Sequence, residues 1–141
     1  MMKVGIDLVE VKRFKNLCNN KSHLERIFLP EEIEYIDKKR SNKGIIMNYN
    51  DDSCEYYKLQ PVQNTVAGLY AAKEAVLKAT GIGVNNGIPF KDVLICHDEN
   101  GAPQVKLYGK ALDWQKMQKI SQISLSISHD GGLANAICIM I

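Results

Sequence analysis

The stretch Gly68–Gly83, GLYAAKEAVLKATGIG, decides the reading of the fold. Val66, Leu69, Tyr70, Ala72, Val76 and Leu77 return at intervals of three and four, the period that gives a helix one apolar face. Alanines at 67, 71, 72, 75 and 79 favour helix and let neighbouring backbones come close. Gly81 supplies a stop, so the helix is expected to end near Thr80. On it Glu74 and Lys78 stand four apart and share a face, with Lys73 beside them and Thr80-Gly81-Ile82-Gly83 one turn beyond. A carboxylate, two ammonium groups and exposed backbone N–H groups then lie within reach of one point. The plain alternative is a surface ion pair between Glu74 and Lys78, worth only about 0.3–0.5 kcal/mol.

Upstream, residues 3–11, KVGIDLVEV, read as a short strand turning into a helix that carries Val9, Val11, Phe14 and Leu17. Asp7 either punctuates the strand as a functional acid or caps that helix, since Asp is a favoured N-cap. Lys12, Arg13 and Lys15 form a basic cluster just after it. His23 to Leu29 is a short helical or extended piece containing Arg26. Pro30-Glu31-Glu32 opens a helix to about Arg40, with proline in the first turn and acids set against the helix dipole. Residues 41–64 show no steady period and read as a long loop or insertion, with a short hairpin around Asn48 to Asp52.

Downstream, Asp92 to His97 and Gln104 to Leu107 are two strands joined by a tight turn at Asp98-Glu99-Asn100-Gly101. Tyr108 to Lys119 is an amphipathic helix holding the only Trp. Ile123 to Ser128 and Leu133 to Ile141 are strands joined through His129-Asp130-Gly131-Gly132. The last strand is apolar on both faces and calls for cover on both sides. His129 lies where strand meets turn, well placed to enter a cleft.

With 141 residues the chain suits one domain that can bury a core without staples. A net charge of +2 and few aromatic residues give no nucleic-acid footprint, and no apolar run approaches the roughly 20 residues that span a bilayer. The N-terminus lacks the apolar core of a signal peptide, from which a cytoplasmic location is expected. Four cysteines at 18, 54, 96 and 138, with no C-x-x-C, suggest reduced thiols rather than zinc or a disulfide framework.

Together these segments resemble the holo-[acyl-carrier-protein] synthases, the small phosphopantetheinyl transferases of fatty-acid synthesis. The matching stretches are Gly5-Ile6-Asp7-Leu8-Val9-Glu10, Glu25-Arg26-Ile27-Phe28-Leu29-Pro30-Glu31-Glu32, Ala71-Ala72-Lys73-Glu74-Ala75 with Lys78, and Gly81-Ile82-Gly83. Asp98-Glu99-Asn100-Gly101-Ala102-Pro103 and Ser126-Ile127-Ser128-His129 follow in the same order, so the likeness runs through nearly the whole chain.

The resemblance implies an α+β fold, with a small antiparallel sheet packed on a long central helix and assembled as a homotrimer with sites between neighbours. It implies transfer of 4′-phosphopantetheine from coenzyme A to a serine of an acyl carrier protein, with release of adenosine 3′,5′-bisphosphate. Asp7 and Glu74 would hold Mg²⁺, and Asp7, Glu74 and Lys78 would be catalytic. Glu74, Lys78 or a water on the cation is the base; the sequence leaves the three open. Lys73, Gly81, Gly83 and His129 would line the coenzyme A site. Arg13, Lys12 and Arg26 would meet the acidic carrier.

The chain departs from the family at Gly68-Leu69-Tyr70, where Gly-Arg-Phe is usual, and in the length of segment 41–64. Two other classes remain open at this level. One is a Mg²⁺-dependent enzyme that cleaves pyrophosphates without a protein acceptor; the other is a catalytically silent carrier-binding protein.

Overall fold

The computed structural model describes residues 1–41, 53–82 and 87–141, with side chains at 41 and 53–61 left aside. The order is β1 (Lys3–Glu10), a 3₁₀ turn (Val11–Phe14), α1 (Lys15–Cys18), α2 (Lys21–Ile27), α3 (Pro30–Ser41) and α4 (Ser53–Thr80). A second 3₁₀ turn (Phe90–Asp92), β2 (Val93–His97), β3 (Pro103–Leu107), α5 (Gly109–Met117), β4 (Ile123–Asp130) and β5 (Leu133–Met140) follow. The fold is α+β, as expected, but the described residues hold two antiparallel sheets rather than one: β1-β5-β4 and the hairpin β2-β3.

Helix α4 is 28 residues long, about 42 Å at the standard rise. It ends at Thr80, where the sequence placed its stop. Its start differs: residues 53–64, expected in the long loop, are helical, and Pro61 lies inside the helix. A proline and a mixed polar composition hide the period there. The expected hairpin at Asn48 to Asp52 falls outside the described residues. The other elements lie close to expectation, with the β2–β3 turn held by Asp98, whose Oδ1 accepts the N–H groups of Asn100 and Ala102. The β4–β5 turn is tighter than read, because His129 and Asp130 belong to β4 and only Gly131 and Gly132 lie between the strands.

β1 and β5 lie on α4, and their small residues make this possible. Ala134, Ala136, Cys138 and Met140 of β5 are buried toward the helix. On β1 the inward residues are Gly5, Asp7 and Val9, while Val4, Ile6 and Leu8 point the other way and stay exposed. A Cβ at Gly5 would fall 1.9 Å from the carbonyl oxygen of Ala75 and 2.5 Å from the nitrogen of Ala79. Strand and helix thus meet backbone to backbone. Asp7 is strand interior and caps no helix, and the turn after β1 begins without a side-chain cap.

A second tie joins α4 to the rest. Lys73 and Glu32 are both fully buried, with Lys73 Nζ 2.8 Å from Glu32 Oε2. Lys73 also donates to the carbonyl oxygens of Phe90 and Val93 and lies over the Phe28 ring. Glu32 accepts the N–H of Leu29 at 2.7 Å through Oε2 and that of Ile95 at 2.9 Å through Oε1. Burial pushes the Glu32 carboxyl up and the Lys73 ammonium down, and their mutual contact pulls each back. Four backbone groups on three segments are satisfied by this one pair. Cys18 and Cys138 are free, buried thiols, pushed by burial up to about 11 and about 12. Among the described residues no helix is long and apolar enough to cross a membrane.

Gly5→Ala should lower unfolding stability in urea by about 3 kcal/mol, because the clash is with backbone that no rotamer change can relieve. A neutral substitution would place β1 away from α4. Lys73→Met should cost about 3–5 kcal/mol by leaving Glu32 buried and unpaired. Adding Glu32→Met should not restore stability, since the N–H groups of Leu29 and Ile95 would then be orphaned. Full recovery in the double variant would show that the pair only balances its own charges.

Candidate functional site

The approach of β1 to α4 brings two of the sequence-predicted residues into contact. Lys78 Nζ lies 2.7 Å from Asp7 Oδ1, with the lysine half exposed and the aspartate nearly buried. The surface pair between Glu74 and Lys78 is not formed; the lysine turns to the strand instead. Asp7 is held from behind, because its own carbonyl accepts Asn135 Nδ2 at 3.0 Å. Its second oxygen, Oδ2, is buried and has no hydrogen-bond partner among the described residues. A buried carboxylate oxygen left unpaired is costly unless a cation or water completes it.

Glu74, one helical turn before Lys78, is half-buried on the same face. Its Oε1 accepts the Tyr70 hydroxyl at 3.3 Å. Tyr70 packs against both Phe14 and Phe90, with ring centroids 5.1 and 5.4 Å away. Burial first, and then Glu74, push the Tyr70 phenol up, Arg13 opposes them, and Asp7 adds a smaller upward push. Asp7, Glu74, Tyr70 and Arg13 therefore share one electrostatic neighbourhood. Among the described residues no group of three or more His, Cys, Asp or Glu side chains could hold a metal by itself. A divalent cation there would draw on two carboxylates and on oxygens of the substrate. Asp7 Oδ2 and the free side of Glu74 suit such a hard cation.

The remaining expected residues divide. Lys73, expected to line a coenzyme A site, is fully buried, and its ammonium lies on Glu32 and two backbone carbonyls. An alanine-rich helix buried on most of its circumference takes Lys73 inward with its neighbours. Gly81 closes α4 with a φ of +74°, its N–H donating to Lys78 O at 3.0 Å, and the space beside it is open. Gly83 lies outside the described residues. Arg13 is exposed in the turn after β1, and Arg26 is exposed in the last turn of α2. Lys12 is exposed and pairs with Glu10 at 3.0 Å.

His129 stands apart from the carboxylates. Its Nε2 is 2.8 Å from the carbonyl oxygen of Asn64, and a Cβ at Gly68 would come within 2.9 Å of that nitrogen. Gly68 thus makes room for the ring. It lines a cleft of about 230 Å³ with Tyr35, Asn64, Gly68, His97 and Ile127, and Tyr35 and His97 stack there at 4.3 Å. Gly68 and Glu74 are separated by about 9 Å along the helix axis, so one chain does not gather His129 with the acids.

Sequence reasoning missed Tyr70 and Glu32. Tyr70 was counted only as an apolar helix residue. Glu32 reads in the sequence as an acid complementing a helix dipole, although it sits at the third position of α3, where a capping-box side chain reaches back to the N-cap N–H. That spacing was the available signal.

The comparisons with known proteins agree with one another. The family model of the 4′-phosphopantetheinyl transferase superfamily matches residues 3–138. A holo-[acyl-carrier-protein] synthase of Caldicellulosiruptor saccharolyticus is 42% identical over 99% of this chain and 95% of its own. The crystal structure of Helicobacter pylori holo-[acyl-carrier-protein] synthase in complex with coenzyme A is 27% identical, with a TM-score of 0.70 over 98% of this chain and 99% of that one. A synthase–coenzyme A complex from Chronobacterium ammoniagenes, also 27% identical, gives 0.74 over 100% and 97%. With its Asp7–Lys78 contact, its Glu74 and a family match running almost from end to end, the chain belongs to the 4′-phosphopantetheinyl transferase superfamily.

Proposed function

We propose that this chain transfers 4′-phosphopantetheine from coenzyme A to a serine hydroxyl of an apo acyl carrier protein, working in the cytoplasm in fatty-acid synthesis. The observation that carries the reading is Asp7, paired through one oxygen with Lys78, which stands one helical turn from Glu74, and left with its other oxygen buried and without a partner among the described residues. Carrier and coenzyme A follow from the activity named for relatives that match over nearly the whole chain.

In the reaction the serine oxygen forms a bond to the phosphorus of the pantetheine phosphate. The pyrophosphate P–O bond breaks, the electron pair leaves with adenosine 3′,5′-bisphosphate, and the serine proton passes to a base. Mg²⁺ held by Asp7 and Glu74 would gather the phosphate oxygens and neutralise their charge. Lys78, paired with Asp7, acts as a cation toward the leaving phosphate. With one Glu74 oxygen on the Tyr70 hydroxyl and the other turned to the cation site, a water beside Glu74 receives the serine proton. Arg13 stands beside this point and exposed, which suits an acidic carrier presenting its serine there; Lys12 and Arg26 extend the basic surface. His129 and its cleft, with Gly81 at the end of α4, suit the far parts of a molecule as long as coenzyme A.

The working unit in this reading is a homotrimer. Val4, Ile6 and Leu8 are each more than half exposed on the outer face of the sheet, with Leu133 and Ile137 beside them. Ile6 stands opposite Ile137 and Val4 opposite Ile139, making a continuous apolar stripe that a second copy can cover.

Mass spectrometry of an apo carrier incubated with the chain, coenzyme A and Mg²⁺ should show one added phosphopantetheine. Glu74→Gln should abolish it while changing stability by no more than about 1 kcal/mol. Cleavage of coenzyme A with an unmodified carrier would mean a pyrophosphate hydrolase, and an unmodified carrier bound without cleavage would mean a silent binding protein. Sedimentation at low micromolar concentration should give three times the 15.8 kDa chain mass, and Ile6→Asp should yield folded monomers. A fully active wild-type monomer would remove the trimer and any shared site.

A further inference from the structure

Tyr70 takes no part in the reaction as derived above, yet it is tied to the residue at its centre. Phe14 and Phe90 both pack against its ring in tilted contacts, so the phenol is held in place by two aromatic neighbours. Four residues on, and therefore one turn along the same face of α4, its hydroxyl donates to Glu74 Oε1 at 3.3 Å. Among the described residues no other protein group hydrogen-bonds Glu74. A glutamate on a helix has three side-chain torsions, and without a partner its carboxylate sweeps a wide arc. One donor from a clamped ring narrows that arc and takes up one oxygen.

We propose that Tyr70 is a positioning residue for Glu74: its hydroxyl fixes Oε1, so that the other carboxylate oxygen is presented toward a divalent cation shared with Asp7. The proposal rests on the cation assignment made for Asp7 and Glu74 above. At 3.3 Å the bond is long for O–H···O, which places its effect in orientation more than in raw strength. Removing the hydroxyl in Tyr70→Phe keeps the ring that packs on Phe14 and Phe90 and deletes only the donor to Glu74.

The test compares wild type, Tyr70→Phe and Glu74→Gln for Mn²⁺ binding, with free Mn²⁺ counted by electron paramagnetic resonance. Coenzyme A is saturating and constant, no carrier is present, and a coenzyme A blank is subtracted. No turnover occurs, so the readout is independent of transfer. Tyr70→Phe should fold as wild type and raise the Mn²⁺ Kd about tenfold, the usual scale for losing a partner of a metal ligand. Glu74→Gln should lose the site. In transfer assays the defect of Tyr70→Phe should be largest at limiting Mg²⁺ and shrink as Mg²⁺ is raised, a dependence that a merely structural role would not produce. If Tyr70→Phe binds Mn²⁺ within twofold of wild type while Glu74→Gln does not bind, Tyr70 does not position Glu74, and the cation assignment stands. If Glu74→Gln also binds as wild type, the cation assignment falls and the role of Tyr70 falls with it.

Discussion

Everything near the site hangs on a contact in which no side chain takes part on the strand side: the backbone of β1 at Gly5 resting on α4 at Ala75 and Ala79. Two residues further along the strand the same face presents Asp7, and the helix at that height presents Lys78. A bulkier residue at 5 would lift the strand by more than the tolerance of a 2.7 Å ion pair. The alanine content of α4 serves the same end, since small residues on the helix are what allow a sheet to lie so close. Geometry at the acids is therefore a product of packing between rigid elements, which holds a site more firmly than a loop does.

The Glu32–Lys73 pair does comparable work on the other side of the helix. Buried charges are poor sources of net stability, because desolvation offsets most of their attraction. What this pair adds is satisfaction of backbone groups on α3, β2 and the Phe90–Asp92 turn that would otherwise be stranded in the core. Phe90 in turn packs on Tyr70, and Tyr70 reaches Glu74. The buried pair and the polar face of α4 are thus linked through one aromatic contact.

The sequence was most legible where chemistry and periodicity coincide. The end of α4, the start of α3 and the two hairpins could be read because glycine, proline and alternating apolar residues are local signals. Asp7, Glu74 and Lys78 stood out because polar residues interrupt apolar segments, and the order of the motifs pointed to the family that the comparisons then showed. Partnership was not legible. Lys73 and Lys78 are both lysines on one helix, but only three-dimensional packing sends the first into the core and the second to a strand 71 residues away in sequence. The outward direction of Val4, Ile6 and Leu8 escaped for a like reason: strand alternation fixes two faces without saying which one meets the helix.

Helix α4 also fixes a length. Asn64 holds His129 at one point and Lys78 holds Asp7 at another, about 21 Å apart at the standard rise, on an uninterrupted run of helix. Inserting a single residue between them would advance one end by about 1.5 Å and turn it by roughly 100°, swinging one of the two anchors off its strand. No loop inside that span can take up the error. Changes in chain length during descent are therefore barred from this interval and must collect outside it, so that this part of α4 works as a gauge against which the β-sheet is registered.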